Sequence, residues 1–514
     1  MKSLMIFVLV AVLVVVLGIF GLRLAFPLPK ENFAERVESL PPDWDGSLGQ
    51  AARRALEQHP DLNGIRPLAD GLAAFAARAV LAREAVSSID AQYYIWQDDT
   101  TGLMLLDELR MAADRGVRVR LLVDDNGIPG LDDLLAELDA MPTAEVRIFN
   151  PFTLRNPKLL SYVFDFSRLN RRMHNKSMTV DGVITLVGGR NIGDIYFEYG
   201  DGTHYFDVDA LAVGPIVEEV AASFDAYWNS GSAYAADRIL APASQDGIAA
   251  AAAEARTTAL GVGYQKAIED NALARRIEAR DVPLEWGQAT LYVDDPSKGL
   301  GLATDDQIVV EKLIALAEES KSSMDLVSAY FIPGPRGAEV LERLARNGIR
   351  IRILTNSLDA TDVMPVHAAY MGYREGLIDS GVELFEQKAM REEHLERSLP
   401  EMLAGSASGL HAKVFGFDGT RIFIGSYNLD PRSARLNTEM GLLVESPSIA
   451  ASLSAQLDNP TFAYRVERGE DGSLVWVEQT ADGNDRRYDV DPETGAFKRG
   501  MAKVVSWLPV EWML

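Results

Sequence analysis

Two stretches of this chain repeat one another at fixed distances, so any fold must place both copies equivalently. The first is His174-Asn175-Lys176-Ser177-Met178-Thr179-Val180-Asp181, followed by Gly188-Gly189-Arg190-Asn191. The second is His411-Ala412-Lys413-Val414-Phe415-Gly416-Phe417-Asp418, followed by Gly425-Ser426-Tyr427-Asn428. Tyr94 precedes His174 by 80 residues, as Phe331 precedes His411, and 17 residues separate each histidine from its asparagine. Fusion of a duplicated lobe gives such equal spacings at once, whereas chance must supply each separately. A pseudo-two-fold axis is therefore expected, with both histidine segments meeting at one interface.

The surrounding pattern is α/β. Ile89–Ile95 reads as a strand, Leu103–Arg115 as an amphipathic helix closed by Gly116, and Val117–Val123 as an apolar strand. The same order returns at Met324–Ile332, Arg336–Arg346 with Asn347-Gly348, and Ile349–Leu354. Strand, helix, strand with a short turn predicts a parallel βαβ unit in each copy. The expected fold is two pseudo-symmetric lobes, each a mixed sheet flanked by helices, with the active site between them. Helical patterns also cover Ala51–Gln58 and Asp70–Ser87, and an Ala-rich, helix-favouring region runs from Ala235 to Arg280. Leu474–Gln479 and Arg486–Val490 suggest a hairpin around Ala481-Asp482-Gly483-Asn484. The boundaries read as 1–30 for an N-terminal anchor and flank, 31–75 for a connector and lead helices, and 76–234 for the first lobe. A helical connector at 235–300, a second lobe at 301–450 and a C-terminal hairpin with an interfacial segment at 451–514 complete the chain.

From Leu4 to Leu22 nineteen consecutive residues are apolar, and as a helix they reach about 28 Å against a hydrocarbon core of about 30 Å. The competing reading is a cleaved secretory signal, but signal cores are usually about 7–15 residues long and end in small-x-small chemistry. Arg23 stands where that chemistry would be needed. A retained single anchor in a bacterial inner membrane is the expectation. Lys2 on one side and Arg23, Lys30 and Arg36 on the other leave its orientation open; a periplasmic body is the working assignment.

The absence of cysteine removes disulfides, thiolate metal sites and cysteine nucleophiles together. A formal charge of −25 argues against a nucleic-acid partner held by a broad basic face. Phosphate chemistry would need a local basic site, and the repeated segments offer one. In an extended strand residues i and i+2 share a side, which pairs His174 with Lys176 and His411 with Lys413. Two histidines, two lysines, Asn191 and Asn428 then make a donor-rich pocket for a phosphodiester. One imidazole can attack phosphorus while the other, protonated, supplies the leaving group with its proton and later activates the incoming hydroxyl. This chemistry calls for no metal and no cofactor.

These residues resemble the phospholipase D superfamily. His-x-Lys-x4-Asp followed by x6-Gly-Gly/Ser-x-Asn occurs twice, and the resemblance extends over roughly Asp70 to Val444, including Asp90–Ile95 and Thr355-Asn356-Ser357-Leu358. Arg171-Arg172-Met173-His174, Gly189-Arg190-Asn191-Ile192-Gly193-Asp194 and the closing Leu508-Pro509-Val510-Glu511 are similar to a branch of the bacterial cardiolipin synthases. The resemblance implies phosphatidyl transfer between phospholipids through a phosphohistidine, with His174 favoured as nucleophile. Phosphatidylglycerol would be one substrate and phosphatidylglycerol or phosphatidylethanolamine the other, and a hydrolytic phospholipase D or other phosphodiesterase is the alternative. Many cardiolipin synthases carry two anchors, so the single one here is a departure.

Each histidine needs an acceptor that fixes its tautomer. Asp207 lies eight residues before Pro215 and Glu439 eight before Pro447, so one is assigned to each histidine, with Asp209 a rival for Asp207. Asp181 and Asp418 precede Gly182 and Gly419, which is turn chemistry, and read as structural or supporting. His204 and His367 read as non-catalytic. Arg155, Lys158, Arg168, Arg171, Arg172 and Lys176 face only Asp165 in sequence, a basic stretch in which Arg171 and Arg172 are candidate substrate-binding residues. Lys498, Arg499 and Lys503 precede Val504, Val505, Trp507, Leu508, Val510, Trp512 and Leu514, which suits either an interfacial segment or packing on the body.

Overall fold

The computed structural model describes residues 2–199, 204–244, 247–389, 409–458, 460–480, 483–508 and 511. Its centre is one six-stranded unit built twice. In the first lobe the strands are β1 (Ser88–Tyr93), β2 (Arg118–Asp124), β3 (Ala144–Phe149), β4 (Ser177–Val180), β5 (Ile184–Gly188) and β6 (Asp209–Val213). In the second they are β7 (Ser323–Ser328), β8 (Arg350–Asn356), β9 (Glu383–Gln387), β10 (Lys413–Phe417), β11 (Arg421–Gly425) and β12 (Met440–Glu445). The spatial order is β6-β5-β4-β1-β2-β3 in one and β12-β11-β10-β7-β8-β9 in the other. The first three strands of each set run parallel and the last three are antiparallel. The parallel strands are buried on both faces, and the charges they carry there are paired, Arg120 with Asp90 in one lobe and Arg352 with Asp325 in the other.

Two short acidic turns close equivalent corners. Asp181 and Asp418 adopt left-handed backbone, with φ of 52° and 53°, and each is followed by a glycine that does the same. The Asp181 carboxylate accepts from the backbone N–H groups of Val86, Ser87 and Ser88. Asp418 does the same for Lys321, Ser322 and Ser323. These motif carboxylates thus pin the entry of β1 and β7 to the hairpin that follows each histidine.

The lobes are larger than 76–234 and 301–450. Asn63–Leu68 and Glu285–Gly287 extend the first sheet at one edge, while Ala289–Val293 extends the second. The Ala-rich region forms helices Ile248–Thr257, Ala259–Asp270 and Ala272–Glu278, which pack on helices Gly71–Glu84 and Thr100–Asp114 of the first lobe. It is body rather than spacer, because its alanines allow close approach and its Tyr264, Ile268 and Ile277 bury. Leu474–Gln479 and Asp485–Tyr488 do form an antiparallel pair, added through Ala463–Arg468 to the edge of the second sheet. The turn residues Ala481 and Asp482 lie outside the described residues.

Four helices matter below: α1 (Lys2–Ala25), α2 (Ser161–Leu169), α3 (Met364–Tyr370) and α4 (Ala496–Val505). Helix α1 is long and apolar enough to cross a membrane. Between the lobes, Val187, Ala210 and Ala212 of the first sheet pack with Val414, Ile422, Ile424, Met440 and Leu442 of the second in one buried cluster. This face-to-face seam fixes how the two histidine segments meet.

Candidate active site

Neither histidine lies within its strand. His174 precedes β4, and its backbone is tied to the other lobe: His174 N donates to Thr438 O at 2.9 Å and Thr438 N donates to Arg172 O at 2.9 Å. His411 precedes β10 in the same way, and its N–H donates to Phe206 O at 2.8 Å. Gly409–Leu410 and Tyr205–Phe206 form a small parallel ribbon across the same seam. The i, i+2 pairing is nonetheless kept, since Lys176 Nζ donates to His174 O at 2.7 Å and Lys413 Nζ donates to His411 O.

The backbone exchange carries the side chains with it. His174 Nδ1 lies 2.8 Å from Glu439 Oε2, and His411 Nδ1 lies 2.5 Å from Asp207 Oδ2. Each imidazole is thus oriented by the carboxylate of the opposite lobe. A carboxylate on Nδ1 holds the proton there and leaves Nε2 as the reactive nitrogen. Asp209, the rival, is instead bound by Arg78 and Arg190.

The two pairs are not electrostatic copies. Burial and the nearby Lys176, Lys413 and His411 push His174 well below the ordinary imidazole range. Burial and Lys413 also lower His411, but the Asp207 carboxylate opposes the shift. Burial works to raise Asp207, yet His411 and Lys413 hold it well below the usual carboxylate range. Burial pushes Glu439 up to about 7 against the pull of Lys176 and the Ser426 hydroxyl. The residue after the first motif glycine makes the difference visible. Gly189 must be glycine, because a Cβ there would lie 2.4 Å from Asp207 Oδ1. At the equivalent position Ser426 Oγ donates to Glu439 Oε2 at 2.5 Å.

Lys176 and Lys413 are buried, and burial lowers both. Asn191 Oδ1 accepts from Ile95 N at 3.2 Å, while its buried Nδ2 is without a hydrogen-bond acceptor among the described residues. Asn428 carries a buried Oδ1 without a partner among the described residues, and an amide flip would put Nδ2 in its place. Open amide positions beside the two lysine side chains, each a hydrogen-bond donor, suit the oxygens of a bound phosphodiester.

The basic stretch is different from its sequence reading. Arg155 and Lys158 pair with Asp125 and Asp132, and Arg168 pairs with Asp165. Arg172 is buried, pairs with Asp124 at 3.1 Å, and donates to Leu169 O and Asn150 O. Asp124 also accepts from Met173 N at 2.8 Å. Arg172 therefore braces the segment entering His174 rather than facing solvent. Arg171 donates to Arg435 O at 3.2 Å across the seam. Much of the excess basic charge is offset because Asp124, Asp125 and Asp132, distant in sequence, fold onto it.

Sequence reasoning missed Ser426, whose signal was the Gly/Ser difference between the copies, and three residues beside His411. Tyr205 and Tyr330 both donate to Asp362 Oδ2, at 3.0 and 2.8 Å, and the Tyr205 ring stacks on His411 at 5.4 Å. Nothing in the spacing marks Asp362. The His204 carbonyl accepts from Gly409 N at the end of the ribbon, and His367 is buried with Arg374, Asn356 and Asp491.

The duplication of the lobes has a counterpart in known proteins. The family model "Cardiolipin synthase, PLD-like domain" matches residues 80–228 and again 313–460. The chain belongs to the cardiolipin synthase family of phospholipase D-like proteins. Its sequence is 43% identical over 481 residues to cardiolipin synthase C of Escherichia coli, covering 91% of this chain and 99% of that protein. It is 30% identical over 484 residues to an uncharacterized protein of Helicobacter pylori, covering 90% of this chain and 93% of that one. The crystal structure of phosphatidylserine synthase from Haemophilus influenzae shares the fold, with a TM-score of 0.56 at 15% identity, over 90% of this chain and all of that one. As a cardiolipin synthase homologue, the protein is a phosphatidyltransferase acting on phospholipids.

Proposed function

We propose that this member of the family makes cardiolipin by moving a phosphatidyl group between two phospholipids. Phosphatidylglycerol is one substrate, and phosphatidylglycerol or phosphatidylethanolamine is the other. The observation that carries the reading is the crossed pairing of His174 with Glu439 and His411 with Asp207. It presents two imidazoles of unequal basicity to one phosphorus.

Neutral His174 Nε2 attacks phosphorus, a P–N bond forms, and the P–O bond to the departing headgroup breaks as protonated His411 supplies that oxygen's proton. The incoming hydroxyl then gives its proton to His411 while its oxygen attacks phosphorus, and the P–N bond breaks to restore His174. Lys176, Lys413, Asn191 and Asn428 hold the non-bridging oxygens in both steps. The stronger depression of His174 supports its role as the neutral nucleophile, and the ionised Asp207 supports His411 as the proton carrier. Helix α1 anchors the enzyme at the inner membrane.

Incubating the full-length protein with phosphatidylglycerol vesicles, with and without phosphatidylethanolamine, tests the reading. Cardiolipin is the expected product. Phosphatidic acid alone would make water the acceptor and the enzyme a hydrolase, and no product from either mixture would refute both.

The carboxylates make a pH prediction. The Asp207 charge raises the proton affinity of His411, so Asp207→Asn lowers it and the acid form disappears at a lower pH. The descending limb of the kcat profile should move to lower pH for a natural headgroup. It should stay in place for a leaving group that departs without a proton. An unshifted limb in both cases would remove His411 from the acid role.

A further inference from the structure

Two helices leave apolar faces uncovered, and each sits beside one histidine. Helix α2 and the turn before it expose Leu159, Val163 and Phe166, at 75%, 56% and 45% of their surface, along with Leu160. Helix α4 and its end expose Phe497 and Trp507, at 70% and 71%, with Met501, Val504 and Leu508. Monomeric soluble surfaces seldom gather large apolar side chains in this way.

Short chains of contact tie both faces to the reacting centre. In the first lobe Tyr162 OH donates to Asn126 Oδ1 and Asn126 Nδ2 donates to Tyr94 OH, each at 3.2 Å, and the Tyr94 ring meets His174 edge-on at 5.0 Å. In the second, α4 packs on α3 and Lys498 Nζ donates to Asp359 O at 3.4 Å. Three residues further, Asp362 holds Tyr205, which stacks on His411. The segments Asn126–Leu169 and Asp359–Tyr370 follow the carboxyl ends of parallel strands β2 or β3 and β8, the same end from which each lobe presents its site. One apolar face therefore flanks the site on each lobe.

What covers these faces is indicated by α1. The membrane-length helix runs down onto α2, with Phe26 stacked on Phe164 at 6.1 Å and Arg23 Nη2 3.6 Å from Asp165. A helix that spans a bilayer places its terminal arginine at headgroup level, so the α2 face begins at that depth. Along α4, Lys498, Arg499 and Lys503 accompany the apolar side chains and Trp507 closes the helix, the composition of a segment lying in an interface.

We propose that α2 and α4 are two feet of a bilayer-docking surface. Both insert apolar side chains into the leaflet held by α1 and turn the mouth between His174 and His411 toward the headgroups. A phospholipid then reaches the site without leaving the membrane. The inference rests on the anchoring and substrate reading above and adds the orientation of the site.

The chain has no cysteine, so single cysteines can carry an environment-sensitive fluorophore. Full-length Phe166→Cys, Phe497→Cys and Val86→Cys would be labelled and reconstituted in phosphatidylglycerol/phosphatidylethanolamine vesicles with brominated acyl chains. Val86 is exposed at the amino end of β1, away from the site. Labels at 166 and 497 should shift to the blue and be quenched by bromine, while the label at 86 stays in water. Water-like emission at 166 and 497, or shielding without bromine quenching as a second copy or another protein would give, overturns the proposal. Quenching that persists in a protein making no product from any lipid would retain the docking surface and refute the transfer reading.

A double substitution Val163→Asp, Phe166→Asp separates docking from folding. It should raise KM for vesicle lipid about tenfold or more and leave turnover of a short-chain monomeric phosphatidylglycerol within about twofold. An equal loss on both substrates would make the face structural and end the proposal.

Discussion

His174→Ala should abolish phosphoenzyme formation and phosphatidyl transfer together, lowering kcat by about 10,000-fold or more, the scale on which deletion of an enzymic nucleophile acts. No other group replaces the lost nitrogen. Glu439 is turned toward the His174 ring and Ser426, and Lys176 is committed in part to the His174 carbonyl. The fold should survive, because the strands around His174 are held by the Asp124–Arg172 pair and the seam hydrogen bonds to Thr438. Acid-labile label from a substrate carrying radioactive phosphorus, followed through denaturing electrophoresis, reads the outcome. Persistent label on His411 with transfer intact would exchange the two roles, and transfer without label on either histidine would refute the covalent mechanism.

His411→Ala should behave differently according to the leaving group. With a natural headgroup the departing alkoxide has no proton source, and turnover should fall by about 100- to 10,000-fold, the usual worth of a positioned acid. With a leaving group of low pKa, such as a phosphatidyl ester of 4-nitrophenol, the first step needs no proton and should proceed at near the parent rate. The second step still lacks its base, so phosphohistidine should accumulate on His174 as a burst of one equivalent per site. Release of nitrophenolate without trapped phosphoenzyme would mean that something other than His411 activates the acceptor. Asp207 keeps Lys413 as a charge partner in this variant, so the cleft is not left with an isolated buried anion.

Much of the architecture was legible in the chain. The matched offsets announced two equivalent lobes because duplication preserves chain distances, and the six strands appear in the same spatial order in both. Strand, helix and turn signals lay in local composition: Asp99 caps the helix after β1, while Gly116 and Gly348 close the helices that lead into β2 and β8 with φ of 91°. The short strands Asn63–Leu68 and Glu285–Gly287 at the end of the first sheet were not legible. Their pattern is too brief, and the first contains Pro67, which is tolerated because Glu285–Gly287 pairs only with residues 63–65 and leaves that side open at the proline.

The site was legible by residue type and not by partnership. The sequence determined that two histidines, two lysines, two asparagines and two carboxylates would recur at equivalent positions of the two copies. Which carboxylate serves which histidine was decided only when the sheets met face to face. That contact bonds Thr438 to the entry of His174 and Phe206 to the entry of His411, and so crosses Glu439 and Asp207 between the lobes. The same folding buried Arg172 against Asp124 and matched Arg155 and Lys158 with Asp125 and Asp132, offsetting much of a basic stretch that looked free in the chain. Burial then divided two chemically similar carboxyls, holding Asp207 ionised and raising Glu439 to about 7. Chain spacing records distances along one lobe, whereas pairing, solvation and charge depend on which surfaces exclude water together, and only the tertiary structure supplies those.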